Sequence, residues 1–194
     1  MNRYTSAGNS SKGPSNAGKG KKHHCPSPPP PPPVPCFVKG SVVITKNGSK
    51  RVEDLNVGDF VLTKDNGLRK IIWIGSANGN SPVKYKNSLF SPQHRITQFI
   101  NNEEILVPAI HLAKINRAQQ IVKNVTYVHF MFEQHQIVNV DGIWSESFYP
   151  GEWIINNSSQ GKEIVDLFGH DMINSMQLSR NTKTFKELKE LIAA

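Results

Sequence analysis

An all-β fold is predicted by three observations. From Cys36 onward, short runs of β-branched and aromatic residues alternate with clusters of Asn, Asp and Gly. These runs are spaced as in a domain of hairpins and short strands. Helical periodicity is confined to 107–115, 161–168 and 184–192.

The elements follow in order. Cys36 begins an alternating run that continues into a strand at 42–45, and Lys46-Asn47-Gly48-Ser49 supplies an Asn-Gly turn before a return at 50–52. A second hairpin is predicted from 60–64, the turn Asp65-Asn66-Gly67 and a return at 70–74. Further strands are predicted at 83–85, 95–100, 104–108, 125–132, 136–140 and 143–145, the last two joined by Asp141-Gly142. Near the C-terminus Phe185, Leu188, Leu191 and Ile192 share one helical face, a pattern for packing onto the domain.

The first 35 residues contrast with this pattern. Residues 1–24 are rich in Ser, Gly, Asn and Lys, a solvated composition that does not build a core. Six prolines at 28–33 predict a polyproline II spacer of roughly 19 Å. The remaining ~160 residues suffice for one hydrophobic core.

Charge follows the same division. The net charge is +8, and five of these positive charges lie before Pro35, where no acidic residue occurs. The high pI therefore describes a basic tail rather than a nucleic-acid-binding face, and no nucleic-acid partner is expected. No window approaches the ~18 apolar residues of a membrane span, and the first residues lack a secretory apolar region. Two cysteines, Cys25 and Cys36, flank the prolines, which argues against a disulfide framework.

Three clusters can carry chemistry. Cys36 stands at the border between leader and domain, badly placed for core packing but well placed to attack the Pro35 carbonyl before it. A thiol is the strongest ordinary side-chain nucleophile, and its attack would convert the peptide bond to a thioester with the Cys36 amine leaving. Such a step needs a proton donor and support for the oxyanion. Ser91-Pro92-Gln93-His94 offers a hydroxyl and an imidazole three residues apart, although Ser-Pro turns followed by a packed histidine are common. The third cluster runs from Tyr127 to Val138 and contains His129 and His135. On a strand His129 faces away from Val128 and Phe130. No cysteine or carboxylate set completes a tetrahedral metal site around the two histidines, so no metal and no other cofactor is expected.

Taken together, these clusters resemble the Hint domain shared by hedgehog autoprocessing domains and inteins, and most nearly its bacterial branch. The resemblance rests on Cys36-Phe37 with Gly40, Val52-Glu53-Asp54-Leu55 with Gly58-Asp59, Ile72-Trp73-Ile74-Gly75 and Ser91-Pro92-Gln93-His94-Arg95. It continues through Leu106-Val107-Pro108-Ala109, Tyr127-Val128-His129 and the run from Trp144 to Gly151. It implies a pseudo-symmetric horseshoe of short strands and hairpins, with one or two short C-terminal helices. The implied organisation is a leader at 1–35, a Hint-like domain at 36–170 and a helical extension at 171–194.

The resemblance also implies roles. Cys36 would be the nucleophile of an N-to-S acyl shift, and His94 would protonate the Cys36 nitrogen. Ser91 stands where many relatives carry Thr, His129 would poise the thiol, and His135 resembles a downstream histidine of the same block. Splicing would need a histidine directly before a terminal asparagine, which neither Asn157 nor Asn174 has. Sterol transfer would need a longer extension than the 24 residues after position 170. The expected activity is thus single-turnover self-processing by a monomer. Its substrate is its own N-terminal flank, and the acceptor is water or a small nucleophile. The alternative is an inactive Hint-like β-domain used as a binding or presentation module.

Overall fold

β-branched and aromatic runs set off by tight turns become fourteen strands in a computed structural model that describes residues 34–193. The readings of the basic leader, Cys25 and the proline run at 28–33 lie outside the described residues. In chain order the first strands are β1 (Phe37–Val38), β2 (Val42–Thr45), β3 (Gly48–Arg51), β4 (Phe60–Thr63), β5 (Gly67–Lys70), β6 (Trp73–Asn80) and β7 (Val83–Tyr85). They are followed by β8 (Ser88–Phe90), β9 (Arg95–Ile100), β10 (Glu103–Pro108), β11 (Gln119–Gln120), β12 (Asn124–Met131), β13 (Ile137–Val140) and β14 (Ile143–Glu146). Four α-helices accompany them: α1 (Ala109–Lys114), α2 (Glu152–Asn157), α3 (Ser159–Ser175) and α4 (Phe185–Ala193).

The strands form two antiparallel sheets. One runs β11-β7-β8-β1-β12-β6, and the other runs β10-β9-β14-β13-β2-β4-β5 with β3 beside β2. Two-residue β1 lies between β8 and β12, with Phe37 opposite both Phe90 and Val128, and Val38 opposite Tyr127. That register carries Cys36, one residue earlier, to the end of β8 and opposite His129 within β12 at once.

Side-chain alternation along β12 divides the core in two. Val128, Phe130 and Phe132 join Phe37, Phe90, Ile96 and Val138 in the main cluster. His129 and Met131 point the other way, and Met131 joins Trp73, Phe148, Ile154, Ile155 and Ile164 beneath α2 and α3. Each fully buried Phe contributes roughly 1.5–3 kcal/mol, so β1 is anchored by Phe37 rather than by its short ladder.

The all-β class holds, and several details differ from the sequence reading. The second hairpin returns at Gly67, which pairs with Thr63, rather than at Lys70. The turn consumes only Lys64, Asp65 and Asn66, and the stretch beginning at Trp73 becomes β6 of the other sheet. Strand β11 is too short to leave a periodic signal, and β8, Ser88-Leu89-Phe90, has no β-branched residue to mark it. Val107 and Pro108 end β10 instead of starting a helix. Three helices follow β14 rather than one or two short ones, and α3 spans 17 residues across a kink at Gly169. On α4 Leu188 is fully buried, whereas Ile192 is exposed because the helix end runs past the core.

Candidate functional site

The register of β1 builds the site. Counting back one residue from Phe37 sets Cys36 opposite Ser91 at the end of β8 and opposite His129 on β12. The Ser91 N–H donates to the Cys36 carbonyl at 3.0 Å, and the Cys36 N–H donates to Ser91 Oγ at 2.9 Å. Ser91 Oγ in turn donates to the Val34 carbonyl at 2.8 Å. One hydroxyl thus ties together the two residues that flank Pro35.

Cys36 is not peripheral, as its place at a compositional border suggests. It is 3% exposed and packs with Val38 and Tyr127, and Val34, Leu89 and Val125 close over this cluster. Its Sγ lies 3.1 Å from His129 Nδ1 and 3.1 Å from the Val34 carbonyl. Burial pushes the thiol well above its ordinary range, and the charge of Glu146 adds to the effect. The sulfur is therefore a thiol and not a thiolate in this state.

His129 is held by a cluster of aromatic rings and at both nitrogens. Its ring stacks on Trp73 at 5.2 Å and on Phe148 at 5.0 Å between centroids. Nε2 is 3.1 Å from Gln160 Oε1 on α3. Directly across the ladder is Gly75, where a Cβ would collide with the His129 and Trp73 rings. Burial lowers the His129 pKa to about 4 against the opposing Gln160 hydrogen bond, so the imidazole is neutral at neutral pH and able to accept a proton.

His94 reaches the site through a β-turn. Pro92, at the second position, has the φ that such a turn needs, and the His94 N–H closes the turn on the Ser91 carbonyl at 3.0 Å. The ring lies against Phe37 at 4.5 Å and Phe90 at 5.1 Å. Neither ring nitrogen has a hydrogen-bond partner among the described residues. Burial lowers its pKa to about 4, assisted by Arg95 and His135 and opposed by Glu146 and by the nearby Cys36 backbone, which the ring approaches without the geometry of a full hydrogen bond.

The fifth candidate belongs to a neighbouring network. His135 Nδ1 accepts from the Ser179 N–H at 3.0 Å and lies 2.9 Å from Ser179 Oγ, which leaves its proton on Nε2, 3.5 Å from Glu146 Oε2. Glu146 is fully buried and also takes Arg95 N–H at 2.8 Å and Arg95 Nη1 at 2.9 Å. Burial opposes its charge, but His135, Arg95 and His94 together hold the carboxyl below the usual range. The structure therefore joins Cys36, Ser91 and His129 by hydrogen bonds, sets His94 against Phe37, and turns His135 toward Glu146.

Two site residues escaped the sequence reading. Glu146 lies in a motif quoted for the resemblance, and its one signal is an acidic residue on a strand with no turn beside it. Gln160 has no local signal at all. Pro35 itself is half-buried and borders an open cavity with Gln93, Arg95, Tyr149 and Trp153, which gives its surroundings access to solvent.

Among the described residues no helix is long and apolar enough to cross a membrane. No curated protein matches the chain. Solved structures similar to it include the AceL NrdHF class 3 split intein, 15% identical with a TM-score of 0.44, covering 58% of this chain and 97% of that one. Another is the bacterial intein-like domain from Clostridium thermocellum, 13% identical with a TM-score of 0.46 over the same shares. The gp41-1 intein is 10% identical with a TM-score of 0.38, covering 57% of this chain and 97% of its own. The Hint domain family model matches residues 35–152, more than half of the chain, and the protein belongs to that family.

Proposed function

We propose that this Hint domain processes its own N-terminal flank at the Pro35–Cys36 peptide bond. The thiol proton of Cys36 passes to His129 Nδ1 as the sulfur attacks the Pro35 carbonyl carbon. The carbon–nitrogen bond then breaks, His94 gives a proton to the departing Cys36 nitrogen, and a Pro35 thioester and a free Cys36 amine remain. Water or a small nucleophile takes the acyl group, releasing residues 1–35 from a domain that begins with Cys36. Ser91 keeps Val34 and Cys36 in register, and the Glu146 carboxylate, oriented by His135 and Arg95, favours the protonated form of His94.

The observation that carries this reading is the 3.1 Å approach of Cys36 Sγ to a neutral His129 nitrogen. Membership in the Hint family supports it further. The raised thiol and the lowered base make ground-state proton transfer unfavourable, so the reaction is slow or induced, with proton transfer accompanying attack.

The same pKa directions favour a second reading, in which the domain keeps the fold without turnover and serves as a binding or presentation module. Incubating the purified full chain with hydroxylamine or a small thiol, and weighing the products, separates the two. The first reading predicts a break between Pro35 and Cys36 that disappears in Cys36→Ala. Intact chain after prolonged incubation, or cleavage that survives Cys36→Ala, overturns it.

A further inference from the structure

We infer that Gln160 on α3 is a positioning residue that sets the tautomer of His129 and so aims a lone pair, rather than a proton, at the Cys36 thiol. The inference rests on the proposed acyl shift for its functional meaning, and on geometry for its content.

A glutamine amide has one end that only donates and one that only accepts. The Gln160 amide nitrogen donates to the Ser76 carbonyl on β6 at 3.2 Å, and a carbonyl can only accept. The amide is thereby oriented, and its oxygen is the end that faces His129 Nε2 at 3.1 Å. An oxygen acceptor at that distance requires Nε2 to carry the ring proton. In a neutral imidazole the other nitrogen is then bare, and Nδ1 is the atom 3.1 Å from Cys36 Sγ. The opposite tautomer would set a lone pair against the Gln160 oxygen and a proton against the thiol.

The fold keeps Gln160 at this station. Ser158 caps α3 by accepting the Gly161 N–H at 2.9 Å. Gly161 is buried against α2, and a Cβ there would meet the Ile154 backbone, so the first turn of α3 cannot ride up from its neighbour. Farther along α3, Glu163 Oε1 accepts from Trp73 Nε1 at 3.3 Å, fastening the helix to the ring that stacks on His129. Gln160 lies beyond the stretch matched by the family model, which ends at residue 152. This chain therefore completes the thiol's base with a residue from its C-terminal helices.

Two substitutions of similar size test the inference by sign. Gln160→Glu keeps an acceptor toward Nε2, whereas Gln160→Lys replaces it with a donor that favours the proton on Nδ1. Nitrogen-15 spectra of the ring in the full chain should report the proton on Nε2 of His129 in wild type and Gln160→Glu, and on Nδ1 in Gln160→Lys. Thiol-induced cleavage should persist in Gln160→Glu and fall by ~10²-fold or more in Gln160→Lys, the scale of a lost general base. A wild-type His129 protonated on Nδ1 overturns the inference, as does equal cleavage by the Glu and Lys variants. If no variant cleaves, wild type included, the acyl-shift reading fails while the ring spectra still decide the tautomer.

Discussion

Two buried histidines lie beside Cys36, one at its thiol and one at its backbone, and share a lowered pKa but not their hydrogen bonding. His129 packs in one cluster with the Trp73 and Phe148 rings and has a partner at each nitrogen. His94 touches Phe37 and Phe90 and has no hydrogen-bond partner among the described residues. Burial lowers both to about 4, yet only one is committed to a direction of proton transfer. Satisfied hydrogen bonds hold a base in one tautomer. Unsatisfied nitrogens are costly in the folded protein, and in the proposed reaction the departing Cys36 nitrogen would supply His94 with a partner.

The largest effects should come from breaking each side of the comparison with the same apolar residue. In the proposed reaction His94→Leu and His129→Leu both reduce thiol-induced cleavage, by ~10²–10⁴-fold. Their stabilities should part. His94→Leu removes two orphaned polar atoms and is expected to be neutral or stabilising, whereas His129→Leu strands Gln160 and the thiol and costs about 1–3 kcal/mol. Denaturant midpoints check this, and an equal loss in both variants would erase the distinction.

Acid should expose the shared property. Each ring titrates near 6.5 when unfolded and near 4 when folded, so the unfolded chain binds more protons between those values. Stability is therefore full above about pH 6.5, declines toward pH 4, and stops declining on this account below it. Each ring contributes on the order of 3 kcal/mol across that window, and melting temperatures of wild type and His94→Leu at pH 7 and 5 measure the His94 share. The proposed reaction needs His94 protonated and His129 neutral, so the rate of that cleavage should fall by up to roughly tenfold per pH unit from pH 5 to 8.

A smaller effect should follow from Gly75→Ala. The added methyl meets the His129 and Trp73 rings, and overpacking of this kind costs about 1–3 kcal/mol. Because the clash includes Nε2, the His129–Gln160 contact should loosen and cleavage should slow, while His94 is left untouched. Ring spectra of both histidines distinguish this from general unfolding.

Much of the fold was legible because strands announce themselves locally. Val42–Thr45, Val83–Tyr85 and Arg95–Ile100 fall where β-branched runs and turn residues set them. The return of the second hairpin was misplaced because the length of a turn depends on register, and Thr63 pairs with Gly67 as soon as the chain reverses. Helix α2 was missed because Ile154 and Ile155 make too short an apolar pattern, and it is their packing with Trp73 and Phe148 that makes them helical core.

The sequence by itself determined the class of fold, the residue types gathered at the thiol, and the resemblance that names Cys36, Ser91, His94, His129 and His135. These depend on local alternation and on ordered motifs, which a linear chain displays directly. Tertiary structure decided which histidine meets the sulfur, which one lacks a partner, and that Gln160 and Glu146 stand beside those histidines. Cys36 and His129 are 93 positions apart, His129 and Gln160 are 31, and Arg95 and Glu146 are 51. Burial and hydrogen-bond direction over such separations are products of packing, and no local pattern carries them.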